Sequence, residues 1–171
     1  MHRLISSVLL IAAVAAAGDS SVRSTEQAVL GSSPQESLAI VVNKSNPVTG
    51  LSFVELRRIF LGEQTHWPGG HRITLVMREE GQTERAAVLR LIYRMSEADL
   101  SRYLLQASFR GDLRLEPKVL NSALGVKRFV YNVPSAIGYV RSNEADETVN
   151  TVRIDGKLPG EDGYRLLVHR R

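Results

Sequence analysis

The sequence predicts an α/β fold, a mixed and at least partly parallel sheet flanked by helices. Strand-length apolar runs alternate with segments whose apolar residues recur at helical spacing. The first run, residues 38–43, is apolar without a break up to Asn43 and rich in β-branched residues. Such a run suits a strand covered on both faces, as in a sheet with helices on either side.

Taken in order, the elements separate at clear stop signals. After the first strand, Asn46-Pro47 and Thr49-Gly50 mark a turn. Ser52 with Glu55 three residues on is a capping box, and it opens a helix whose apolar face is Leu56, Ile59 and Phe60. Gly62 ends that helix in the left-handed conformation glycine tolerates. A Trp67-Pro68-Gly69-Gly70 loop leads to a second strand over residues 73–77. The turn 78–81 precedes a second helix, about residues 83–93, with Ala87 and Leu91 at helical spacing. Ser96 and Asp99 repeat the capping pattern for a third. Val119 begins a short strand, Ser122 caps a helix through Phe129 and Val130, and residues 134–140 turn into another strand around Gly138. Final strands are expected over 148–154 and 164–168, joined by a Gly-, Pro- and Asp-rich segment, 155–163. No internal repeat is visible.

The N-terminus reads as a secretory signal. Met1-His2-Arg3 is a short basic start, residues 4–17 carry no charge, and Ala15-Ala16-Ala17 supplies small residues for cleavage. The apolar run falls short of the roughly 20 residues that cross a bilayer, although an uncleaved anchor is the alternative. The expected organisation is a signal peptide at 1–17, a Ser- and Gln-rich lead-in at 18–37 and one domain at 38–171, in the periplasm or secreted. The chain has no cysteine, so it must hold together by core burial, and Cys-ligated metal and Cys nucleophiles are excluded. Its four His show no metal-ligand spacing, and neither a metal nor a cofactor is expected. The formal net charge of +4 is spread among interspersed acids and bases, unlike the basic stripe of a nucleic-acid binder.

Two segments carry a family resemblance. Leu51-Ser-Phe-Val-Glu-Leu-Arg-Arg-Ile-Phe-Leu-Gly62 with Trp67 beyond it, and Ala136-Ile-Gly-Tyr-Val140, resemble the periplasmic phosphate-binding proteins of ABC transporters, in particular their stand-alone short relatives. The match runs over residues 38–141. It implies one lobe of a type II periplasmic-binding-protein-like fold, corresponding to the second lobe of the larger proteins. Leu56, Ile59, Phe60 and Trp67 read as core rather than as ligand contacts, and Gly138 as a close backbone approach.

The resemblance places a ligand site at Arg78-Glu79-Glu80-Gly81-Gln82-Thr83, where a strand ends and a helix begins. The family's turn is similar to Arg-x-Asp-Gly-Ser-Gly-Thr, which implies Arg78 as the oxyanion fork, Glu80 as acceptor for a protonated oxygen, and Gly81, Gln82 and Thr83 as the remaining contacts. The sequence departs from that pattern at Gln82, where a Ser is expected, and in lacking the second Gly. Glu79, Glu80 and Glu84 also surround the site with carboxylates, so a helix start satisfied by its own side chains, with Arg78 paired to Glu79 or Glu80, is the other reading. Asn43 and Lys44 could face the same strand-end crevice or simply form a turn. No nucleophile–base spacing indicates an enzyme. Two functions follow from these readings: a solute-binding protein for phosphate or a related oxyanion, working with a membrane transporter or sensor, or a single-lobe interaction or scaffold module without a small ligand.

Overall fold

The structure, a computed structural model, describes residues 36–109 and 116–168. The expected signal peptide and most of the lead-in lie outside the described residues. Five strands form one mixed sheet in the order β4-β3-β5-β1-β6. At its centre β5 (Ala136–Arg141) runs parallel to β3 (Thr74–Arg78) and antiparallel to β1 (Leu38–Val42). β3 also pairs in parallel with the edge strand β4 (Lys118–Leu120), and β1 antiparallel with the two-residue β6 (Asn150–Thr151). A separate two-stranded parallel ladder joins β2 (Gly50–Leu51) to β7 (Arg153–Ile154).

All five residues of β1 are buried, and successive side chains enter different cores. Leu38, Ile40 and Val42 join a large cluster with Leu75 and Met77 of β3 and Ile137 and Tyr139 of β5. Ala39 and Val41 join a smaller cluster with Val76, Ala136 and Val140. The first cluster is covered by α1 (Phe53–Phe60), α2 (Thr83–Val88) with the π-helical turn Leu89–Tyr93 that continues it, and α3 (Glu97–Phe109). The second is covered by α4 (Ala123–Asn132) through Val126 and Val130, one helical turn apart. The expected flanked, mixed sheet is therefore what the chain forms.

The caps are those the sequence indicates. Ser52 Oγ accepts from the Glu55 N–H at 3.2 Å and the Ser52 N–H donates back to Glu55 at 2.8 Å. Ser96 Oγ accepts from the Asp99 N–H, and Ser122 Oγ from the Gly125 N–H. Two expectations are corrected, and of the two readings of Asn43 and Lys44 the turn is the one formed. Residues 164–168 form no regular strand: their backbone pairs as an antiparallel bridge between Ser37 and Leu167, with Leu38 and Val168 N–H groups completing it, while Tyr164, Leu166 and Val168 enter the main core. That bridge also places Ser37 and Glu36 in the folded unit rather than in a lead-in. Because β1 is antiparallel to β5, Asn43 and Lys44 leave the sheet at the end opposite Arg78, and they share no crevice with it. Asn43 instead donates to the Val130 and Tyr131 carbonyls at the end of α4 and accepts from Ser45 in a turn.

Gly138 lies under α4. A Cβ there would stand 3.0 Å from Val126 Cγ1 and 3.3 Å from Val76 Cβ, contacts that only a shift of the helix or the neighbouring strand could relieve. Gly138→Ala is expected to destabilise the fold by about 1–3 kcal/mol, the usual cost of overpacking a core. A urea melt in which the variant matched or exceeded the parent would refute the close approach. At the other face, Ser52→Ala should cost about 1 kcal/mol through the lost cap of α1, read as a lower midpoint in the same melt with an unchanged slope.

Candidate functional site

The parallel pairing of β3 with β4 and β5 brings three strand ends to one edge of the sheet. In open α/β sheets this carboxyl edge is where ligands collect. Arg78 is the last residue of β3, and its peptide is held from both sides by side chains. Its N–H donates to the Tyr139 hydroxyl at 3.0 Å, and its carbonyl accepts from Arg85 Nη1 at 2.9 Å. Burial pushes the Tyr139 hydroxyl's pKa well above its ordinary value, so it serves here as a neutral partner. Arg85 is in turn fixed by a two-point pair with Glu97 of α3, at 2.6 and 2.9 Å, and that hydrogen bond is the main cause of its raised pKa.

The turn Glu79-Glu80-Gly81-Gln82 follows at once. It closes through the Gln82 N–H to the Glu79 carbonyl at 3.3 Å, with Gly81 at φ +84° in its third position. That position needs positive φ, which a glycine supplies without strain. Gln82 is then the N-cap of α2, but its side chain makes no capping bond. It reaches back instead, and Arg78 Nη2 donates to Gln82 Oε1 at 3.0 Å.

Arg78 is only 6 % exposed, and among the described residues its Nε–H is the buried side-chain polar group without an acceptor. Its charge is met by Glu84, with Nη2 4.0 Å from Glu84 Oε2. Glu84 is buried too and lies between two guanidinium groups, because Arg141 at the end of β5 donates its Nε–H to Glu84 Oε1. Burial alone would raise the carboxyl's pKa. The Arg141 hydrogen bond, the residue's own backbone N–H and the two arginine charges outweigh it and hold the group below its ordinary value. Arg141 also pairs with Glu36, at 2.5 Å.

Glu80, Gly81, Gln82 and Thr83 line one cavity of about 530 Å³, together with Arg90 and Glu97. The turn is therefore one surface, with Arg78 beneath its floor rather than in its wall. The expected partners of Arg78 are corrected: Glu79 and Glu80 are exposed, and Gln82 and Glu84 take the guanidinium. Sequence reasoning placed Glu84 near the site but missed Arg85, Tyr139 and Arg141. Arg141 directly follows the Gly-Tyr-Val stretch, so a parallel β3/β5 pairing would have brought it to Arg78. A larger cavity of about 920 Å³, lined by Trp67, Thr74 and Ser135 among others, lies at the opposite, amino end of the same strands.

No protein-family model matches the chain. Among solved structures, an ABC-type phosphate transport receptor from Vibrio cholerae is 26% identical, with a TM-score of 0.60, over 72% of this chain and 48% of that one. A putative phosphate ABC transporter substrate-binding protein from Clostridium perfringens, solved with bound phosphate, is 23% identical at a TM-score of 0.60, over 74% and 48%. PstS from Borrelia burgdorferi has the same fold at 14% identity and a TM-score of 0.57, over 74% and 50%. The chain thus spans about half the length of the structures it matches. In fold it is a relative of the substrate-binding proteins of phosphate ABC transporters, matching them over a single lobe.

Proposed function

We propose that the chain is an extracytoplasmic solute-binding protein that takes phosphate or a related oxyanion at the Arg78 turn. The observation that carries this reading is the buried Nε–H of Arg78, which has no acceptor among the described residues. A buried donor left unpaired costs about 1–3 kcal/mol, and an oxyanion oxygen would recover it as a charge-assisted bond. In this reading Arg78 is the principal cation, Gln82 swings off the guanidinium, and Gly81 and Thr83 offer the opening N–H groups and hydroxyl of the turn. Glu80, exposed on the cavity wall, accepts from a protonated ligand oxygen. The matched structures that bind phosphate or serve phosphate transport support the choice of ligand class. Export rests on the basic start and apolar run of residues 1–17, and no helix among the described residues is long and apolar enough to cross a membrane. A membrane transporter or sensor is the partner such a protein would serve.

A second reading is an interaction module without a small ligand. It is favoured by the Gln82–Arg78 hydrogen bond, which closes the fork with a group of the protein itself. Isothermal titration with phosphate at near-neutral pH and low salt, with sulfate as control, separates the two. The oxyanion reading predicts saturable heat that Arg78→Ala weakens on the order of a hundredfold, the worth of one or two bonds from a charged group, while circular dichroism stays unchanged. Flat traces for the parent protein up to millimolar phosphate would exclude the oxyanion reading in favour of the interaction module. Unfolding of Arg78→Ala would instead mark Arg78 as a structural ion-pair partner.

A further inference from the structure

Between the two strand-end arginines the protein already holds an anion of its own. Glu84 stands one residue into α2, buried, with its carboxylate hydrogen-bonded to Arg141 and 4.0 Å from the Arg78 guanidinium. Each of these partners is one that an oxyanion at this edge of the sheet would seek. Two guanidinium groups make a strong anion site, and one carboxylate satisfies it only in part: among the described residues the Nε–H of Arg78 still lacks an acceptor. A planar carboxylate offers two oxygens, one turned to Arg141 and one to Arg78, and neither reaches that donor within hydrogen-bond distance. A tetrahedral oxyanion has more oxygens to distribute over the same donors.

We infer that Glu84 is a tethered anion that occupies the position between Arg78 and Arg141 and competes there with the incoming oxyanion, setting the affinity of the site. The inference rests on the oxyanion reading given above. Its physical content is a repulsion and a displacement. The ligand's charge meets a fixed negative charge a few ångströms away, and the arginine bonds it gains must be taken from Glu84. Two unit charges about 4 Å apart interact strongly enough, at the dielectric of a protein surface, to change affinity by tenfold or more. Glu84 in return keeps the buried Arg78 and the half-buried Arg141 paired whenever no ligand is present, as a buried charge requires.

The test is titration of the full chain with inorganic phosphate, comparing the parent protein, Glu84→Gln and Glu84→Gln combined with Arg78→Ala. Glu84→Gln keeps the length of the side chain and an oxygen for Arg141 but removes the charge. It is expected to bind phosphate at least about tenfold more tightly than the parent, and the double variant is expected to lose that gain. A rise in melting temperature with phosphate, larger in Glu84→Gln than in the parent, is the independent readout. If circular dichroism shows Glu84→Gln unfolded, Glu84→Asp decides. It keeps the charge but draws it back by one methylene, so it should tighten binding by a smaller factor. Equal or weaker binding in the folded variant overturns the proposal. Parent binding with no tightening overturns the tethered anion alone and leaves the oxyanion function standing. A flat parent trace with Arg78-dependent binding in Glu84→Gln supports the tethered anion and removes the parent protein's role as an oxyanion carrier. Flat traces throughout overturn both.

Discussion

The parallel pairing of β3 with β5 is the constraint on which the rest of this architecture turns. Each of these strands sends alternate side chains into two cores, so each must be covered by helices on both faces. A parallel pair ends on the same edge, and here the two last residues are arginines, Arg78 and Arg141. Two like charges at adjacent strand ends cannot stay buried without a counter-charge. The helix that follows β3 provides it: α2 starts directly after the Glu79–Gln82 turn and swings Glu84 back over the strand ends. The fold thus creates an electrostatic demand at one edge and meets it locally.

That demand explains why so many side chains are spent on positioning. Tyr139 and Arg85 take the N–H and carbonyl of Arg78, and Glu97 fixes Arg85. These bonds link β3, β5, α2 and α3 around the backbone of one residue, Arg78. Breaking a buried pair by removing one partner leaves a charge in low dielectric, at about 3–5 kcal/mol, far more than an exposed surface pair is worth. The exposed pair Arg102–Asp99 on α3, by contrast, decides nothing about the fold. The stiffness of the Arg78 backbone and the remaining freedom of its Nε–H belong together. A guanidinium whose main chain is locked on both sides can leave one donor unpaired without the strand end rearranging to pair it.

Local signals were legible in the sequence because the physics that makes them is local. The Ser52–Glu55 box, the left-handed Gly62 and the cap at Ser122 need only neighbouring residues, and each stands where the sequence placed it. Gly138 was legible as a close approach, though not that α4 makes it. Strand direction was not legible, since the same apolar run serves a parallel or an antiparallel neighbour. That gap is why the sequence left two readings for Asn43 and Lys44, of which the turn is the one the structure forms. Residues 164–168 have the composition of a strand but lack an open ladder to join, and a single bridge to Ser37 is what the register leaves them. The ion-pair partner of Arg78 was misread for a geometric reason. Glu79 and Glu80 are nearest in sequence, yet the turn at Gly81 throws both outward, while the helix brings Glu84 inward. Whether this edge holds a ligand was never legible from residue types, because a carboxylate ringed by arginines satisfies the same pattern.

Gln82 bears on that last question. At the N-cap of α2 a Ser, Thr, Asp or Asn would accept from the second or third N–H and stabilise the helix by about 1 kcal/mol. Gln82 makes no such bond and uses its oxygen on Arg78 instead. The opening N–H groups of α2 are thereby left without a side-chain cap from Gln82. A residue chosen only for helix stability would have capped; a residue chosen only to bind an anion would have been a small hydroxyl that leaves the guanidinium open. A long amide does neither. It pairs a buried cation from a half-buried position on the cavity wall. Gln82 and Glu84 therefore act on the same arginine. Both approach its Nη2, one as a neutral amide on a half-buried side chain, the other as a buried carboxylate also held by Arg141.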